Sequence, residues 1–215
     1  MTKKTVLALV GDYYHKAEWA EAALRRATKG LEDVELRCVE VEAFEAALRG
    51  DGQDKPDMVV LFREDRIDPQ SEEPRRWMHE GLQRLASDYV EAGGSWLAWH
   101  SGLAGYDAEG PYVRMLRGYF LTHPADHQPV RYTPTTSDAA AYELLDEHYF
   151  VFCDEANTHV FLRSSSVDGD SVAGWTHPYG RGYVACYTPA HNEAALASDA
   201  VASALRGLLM EGLKL

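Results

Sequence analysis

Apolar and polar positions along this chain fall into two rhythms. Thr5-Val6-Leu7-Ala8-Leu9-Val10 is a near-continuous apolar run closed by Gly11, the pattern of a strand buried on both faces. Met58-Val59-Val60-Leu61-Phe62, Ser95-Trp96-Leu97-Ala98-Trp99 and Tyr183 to Thr188 repeat it, while Val34 to Val41 alternates as a further strand. Between these runs the spacing changes to three and four. Lys16 to Lys29 puts Trp19, Ala23 and Ala27 on one face and Ala20 with Leu24 beside them, and Gly30 stops it, so a helix is predicted. Phe44, Ala47 and Leu48 mark a short helix, and Gly50 to Pro56 a polar turn. Ser71 is a candidate cap for the next helix, with Glu72 and Glu73 suited to its first turn and Pro74 tolerated there. Met78, Leu82, Leu85 and Tyr89 then recur at helical spacing until Gly93-Gly94.

The second half is less regular. A short helix is predicted around Tyr112 to Leu116, followed by a loop rich in His and Pro. Val130 to Tyr132, Tyr149 to Cys153 and Val160 to Arg163 read as short strands, and Glu193 to Leu213 as a closing helix with Asn192 as its cap. Strands alternating with helices over short links predict a parallel sheet. The expected architecture is a flavodoxin-like three-layer α/β sandwich with a mostly parallel sheet. No internal repeat or linker interrupts the chain, so residues 1–215 form one domain.

Composition agrees with that picture and excludes some partners. At 215 residues and 46% hydrophobic, the chain can bury one sizeable core. A net charge of -13 with no Lys/Arg cluster supplies no surface to replace phosphate counterions, so no nucleic-acid partner is expected. No apolar stretch approaches the roughly 20 residues of a membrane span, so no membrane partner is expected either. Lys3-Lys4 precede an apolar run too short for a signal peptide. Cys38, Cys153 and Cys186 are odd in number and form no CxxC pair, which points to a reducing, cytoplasmic setting.

In an open parallel sheet, ligands bind outside the carboxyl ends of the strands. Those ends deliver Asp12-Tyr13-Tyr14-His15, Arg63-Glu64-Asp65, His100-Ser101-Gly102 and Thr188-Pro189-Ala190-His191. His100 follows its strand directly, where α/β enzymes expose a reactive group on a sharp turn, and its imidazole is fit to act as acid, base or metal ligand. Ser101 lacks the G-x-S-x-G frame, and the cysteines sit inside apolar strand patterns as small core residues. His123 and His127 fall in a loop. Asp146-Glu147-His148-Tyr149 sets two carboxylates before a strand, a pattern that also reads simply as a polar strand entry. Zinc takes imidazole nitrogen and carboxylate oxygen. His100, His123 and His191 are therefore candidate zinc ligands, although no H-E-x-x-H or H-x-H spacing appears. Trp175 and Tyr179 flank His177-Pro178 in an expected loop, where an aromatic ring would either stack on a sugar or close the core.

Four segments, in this order, carry a family resemblance. They are Gly93-Gly94-Ser95-Trp96-Leu97-Ala98-Trp99-His100-Ser101, Gly118-Tyr119-Phe120-Leu121-Thr122-His123-Pro124, Asp146-Glu147-His148-Tyr149, and Gly174-Trp175 through Arg181-Gly182-Tyr183-Val184 with Ala190-His191. Together they resemble the trehalose-utilisation, ThuA-like family over roughly residues 5 to 210. The resemblance implies a class I glutamine amidotransferase-like fold, with His100 near the place of the amidotransferase cysteine and hence no amidotransferase activity. It also implies a role in carbohydrate use, on a sugar or keto-sugar. Ala98 and Ala190 depart from the family by replacing glycines before the histidine-bearing turns.

The combined expectation is an enzyme acting on a sugar at a His-rich pocket. His100 is its acid/base, His191 its partner and Glu147 its orienting carboxylate, with His15, Arg63, His123, Tyr149 and Trp175 binding substrate. A non-catalytic sugar-sensing or interaction module and a zinc-dependent hydrolase on the same histidines are the alternatives. Assembly as a homo-oligomer is left open.

Overall fold

A computed structural model describes residues 3–50, 55–136 and 140–215. The polar turn read over Gly50 to Pro56 lies largely outside them. In chain order the elements are β1 (Lys4–Val10), α1 (Ala17–Thr28), β2 (Val34–Cys38), α2 (Val41–Arg49), β3 (Met58–Phe62), α3 (Glu80–Glu91) and β4 (Ser95–Trp99). A 3₁₀ turn (His100–Leu103), α4 (Pro111–Leu116), β5 (Gly118–Thr122), β6 (Gln128–Pro134), β7 (Tyr142–Asp146) and β8 (Phe150–Cys153) follow. The chain ends with β9 (His159–Ser166), β10 (Gly169–Tyr179), β11 (Gly182–Tyr187), α5 (Glu193–Leu196) and α6 (Asp199–Leu213).

The main sheet has the order β2-β1-β3-β4-β11-β10-β9-β6-β7. Its first five strands pair in parallel, which is the flavodoxin-like 2-1-3-4-5 order. Beyond β11 every pair is antiparallel. β5 and β8 make a separate two-stranded sheet. The apolar runs explain the parallel half. Alternate residues of a strand face opposite sides, so Val6, Ala8, Val60, Phe62, Leu97 and Trp99 join one core with α1 and α6. Leu7, Leu9, Val59, Leu61, Trp96 and Ala98 join the other with α2, α3 and α4.

Three expectations are corrected. The third helix starts at Glu80 rather than after Ser71. Asp68 Oδ1 accepts the Arg75 N–H at 2.7 Å and Asp65 Oδ1 accepts the Met78 N–H at 3.0 Å. These carboxylates hold the segment as a loop, and the helix begins only where His79 Nδ1 accepts the Leu82 N–H. The closing helix is two helices, because Ser198 Oγ accepts the Val201 N–H and starts a second one; Asn192 caps the first, as expected. The third correction concerns Trp175. It lies in β10 rather than in a loop, is fully buried, and donates its indole N–H to the Leu116 carbonyl at 2.8 Å. Gly118 admits the ring, since a Cβ there would stand 2.5 Å from it. Of the two readings open for this aromatic, the structure supports core closure.

Trp175→Ala should therefore cost about 3–5 kcal/mol, the range for emptying a large aromatic site. Denaturant unfolding followed by circular dichroism measures it; a loss below about 1 kcal/mol would contradict the core assignment.

Candidate functional site

Four ends of parallel strands and the segments following β5 and β7 build a crevice of about 280 Å³. The turn after β1 is organised by Asp12. Its Oδ1 accepts the N–H groups of Tyr14 and His15 at 2.9 and 3.1 Å, and the His15 Nδ1–H at 2.6 Å. Its Oδ2 accepts the Glu64 N–H from the end of β3 at 2.9 Å. Burial opposes ionisation of Asp12, but the hydrogen bonds and charge of His15, with the Glu64 N–H, bring its carboxyl down to about 2. Because a carboxylate only accepts, His15 carries its proton on Nδ1 and presents Nε2 to the crevice.

After β4 the backbone turns sharply: His100 has φ of 45°. Gly102 makes the turn feasible, since a Cβ there would lie 2.2 Å from the Leu61 carbonyl oxygen. The His100 ring is completely buried. Its Nδ1–H donates to the Thr188 carbonyl at 2.7 Å, and Tyr149 stacks on it with ring centroids 4.1 Å apart. Burial pulls its pKa down, against the opposing hydrogen bond to Glu147.

The turn after β11 is pinned from the far side of the sheet. Asp146, at the end of β7, accepts the Ala190 N–H at 2.7 Å and the His191 N–H at 2.8 Å, and also the Tyr132 hydroxyl at 3.0 Å. Ala190 is held at φ of 82°, a left-handed backbone that glycine adopts more readily. This is the position where the family resemblance expects glycine. The side chain of His191 reaches Glu147 Oε2 at 3.0 Å.

Glu147 is the centre of the arrangement. Oε2 faces His191 and His100 at 3.0 and 3.7 Å, and Oε1 lies 3.9 Å from both His123 and His127. Burial resists its ionisation, yet His100 and His191 hold its carboxyl well below the usual range. With His15, five of the nine histidines in the sequence gather here; His127, read only as a loop residue, joins the four expected at the pocket.

The expected residues therefore separate. His15, His123, Glu147, Tyr149 and His191 line the crevice. His100 stands behind it, touching it through Glu147 and His191. Arg63 donates to the Gly11 carbonyl and lines a neighbouring depression with Lys16 and Glu40 rather than the crevice. Trp175 is in the core. Tyr14, Glu64, Arg66 and Phe120 also line the crevice and were not singled out; Glu64 carried a signal as the residue after Arg63 at a strand end. Burial raises the carboxyl of Glu64 against the opposing pull of the Arg66 guanidinium. A larger groove of about 610 Å³, lined by Tyr142, Phe161, Leu162 and Leu208 among others, gathers no comparable set of titratable groups. Cys186 is buried, and burial pushes its thiol far up; Cys38 and Cys153 are pushed up to about 11.

The strand order and the sharp histidine-bearing turn at the end of the fourth parallel strand define a flavodoxin-like α/β protein with a histidine at that turn. The chain belongs to the ThuA, trehalose-utilisation family, which it matches over residues 11–210. A ThuA-like protein from Parabacteroides merdae superposes with a TM-score of 0.73 at 10% identity, covering 99% of this chain and 90% of that one. A ThuA-like protein from Bacteroides uniformis gives 0.67 at 15% identity, covering 98% and 89%. A β-galactosidase from Rahnella sp. R3 gives 0.63 at 12% identity; the match covers 99% of this chain and 32% of the longer enzyme. No curated protein matches the sequence. Among the described residues no helix is long and apolar enough to cross a membrane.

Asp146→Ala should orphan three donors, two of them backbone N–H groups of the His191 turn. At about 1–3 kcal/mol for each unsatisfied buried group, a loss of roughly 3 kcal/mol or more is expected in chemical denaturation, together with a shift of the His191 ring signal in NMR. An unchanged ring signal would mean that the turn does not depend on Asp146.

Proposed function

We propose that this chain binds a single sugar or keto-sugar ring in the His-rich crevice and transfers protons on it, in the cytoplasm, without amidotransferase activity. One observation carries the reading: Glu147, ringed by four histidines, opens onto a crevice walled by Tyr14, Phe120 and Tyr149. Aromatic faces pack against the C–H faces of a sugar ring, while converging polar groups bind its hydroxyls. The volume of about 280 Å³ is at the lower end for small-molecule sites, so one ring is enclosed and the rest of a disaccharide lies outside.

The chemistry follows from protonation. Glu147 is kept ionised and contacts His191, whose side chain is 17% exposed and within reach of a ligand. Glu64, on the same wall, is pushed the other way. The His191 imidazole, held against the Glu147 carboxylate, suits general acid–base work, the requirement for moving a proton beside a sugar carbonyl, with Glu147 as its orienting partner. His100 is a positioning residue in this reading, since it is buried behind Glu147 and Tyr149.

Calorimetry and turnover assays against a panel of glucosides, their keto derivatives and trehalose test the reading. Glu147→Gln and His191→Ala should each lower turnover by about 10²–10⁴-fold, with smaller effects on binding. Binding without turnover would favour a sugar-sensing module, and no binding by any panel member would refute the reading. A separate expectation concerns glutamine. No ammonia should be released from it, because His100 occupies the nucleophile's turn and the thiols are raised by burial. Ammonia release abolished by a Cys→Ser change would overturn that.

A further inference from the structure

Four groups beneath the crevice converge on one point, where a proton or a cation must lie between them. His15 Nε2 and His191 Nδ1 are 2.9 Å apart, His100 Nε2 and His191 Nδ1 3.3 Å, His191 Nδ1 and Glu147 Oε2 3.0 Å, and His100 Nε2 and Glu147 Oε2 3.7 Å. One ligand atom from each residue lies within 4.8 Å of every other.

The outer hydrogen bonds assign the protons. His15 gives its Nδ1–H to Asp12 and His100 gives its Nδ1–H to the Thr188 carbonyl. Neither acceptor can donate, so each Nδ1 carries a proton, and in the neutral rings both Nε2 atoms turn lone pairs toward the centre, where the Glu147 carboxylate adds another. A proton on His191 Nδ1 can serve one of these acceptors and leaves the others facing each other. A single divalent cation satisfies all four at once. The outer partners are also those that orient metal-binding histidines: a carboxylate for one ring and a backbone carbonyl for another. In a tetrahedral zinc site with bonds of about 2.0–2.1 Å, ligand atoms stand about 3.3 Å apart, within the span of the separations above.

We propose that His15, His100, His191 and Glu147 form a binding site for one first-row divalent transition-metal ion, with zinc as the representative. Three imidazoles suit such ions and disfavour magnesium and calcium, which take oxygen ligands. The set differs from the one expected from sequence: His15 enters and His123 leaves, because the His123 Nδ1–H bonds the Pro124 carbonyl and its Nε2 lies 3.9 Å from the other oxygen of Glu147. The site shares the crevice with the sugar reading but does not depend on it.

The test is metal binding by the whole chain, purified untagged, stripped with chelator and dialysed. Titration calorimetry with zinc chloride should give one ion per chain and a higher thermal midpoint, and magnesium should give neither. His15→Gln should abolish zinc binding, His123→Gln should retain it, and Asp12→Asn should weaken it by about 10–100-fold. Should a variant fail to fold by circular dichroism, cobalt(II) added to the wild-type protein decides: intense visible bands of a low-symmetry, nitrogen-ligated site support the proposal. Their absence overturns it, as does a thermal midpoint unmoved by zinc or zinc binding that survives His15→Gln. Metal binding without sugar binding would sink only the sugar reading; sugar binding without metal would sink only this one.

Discussion

The carboxylate of Asp146 ties the two halves of this molecule together. It belongs to β7, at the antiparallel edge of the sheet, yet it accepts the N–H groups of Ala190 and His191 beyond β11 in the parallel half. A buried carboxylate needs donors, and a turn held at positive φ by alanine needs a restraint. Each requirement is met by the other. Because Glu147 is the next residue, the restraint that positions His191 also places its carboxylate partner 3.0 Å away.

A second carboxylate does the same work at the other end of the site. Asp12 shapes the turn after β1, takes the Glu64 N–H from the adjacent strand end, and sets the tautomer of His15. The Thr188 carbonyl does this for His100. Outer acceptors thus fix the Nδ1 protons of His15 and His100 and turn both Nε2 atoms inward. That arrangement favours binding a cation or receiving a proton, and gives the site its character independently of any nucleophile.

The strain in the site is local and has identifiable supports. His100 and Ala190, both at positive φ, each begin or precede a histidine-bearing turn at the end of a buried parallel strand. β4 and β11 are neighbours in parallel register, Trp99 opposite Tyr187, so their turns emerge side by side. The Trp99 indole donates to the Pro189 carbonyl at 2.8 Å and fastens one turn to the other.

The parallel half of the fold was legible in sequence because its physics is local. A strand buried on both faces must be apolar throughout, and the runs at Val6, Met58, Trp96 and Val184 are so. The rule that ligands gather at strand carboxyl ends then selected His15, His100 and His191 with no knowledge of distance. The antiparallel half was harder. β5, β7 and most of β10 are partly exposed or mixed in pattern, and Trp175 carries the same aromatic signal whether it closes a core or meets a ligand. The false start at Ser71 has the same origin: helix-capping residues were present, but Asp65 and Asp68 captured the backbone first. Which histidines share a ligand, and that His100 is buried while His191 is open, were decided by tertiary structure alone. Those properties depend on hydrogen bonds between residues more than 40 positions apart, from the His191 N–H to Asp146, from the Glu64 N–H to Asp12 and from His100 to the Thr188 carbonyl, and no periodicity along the chain encodes them.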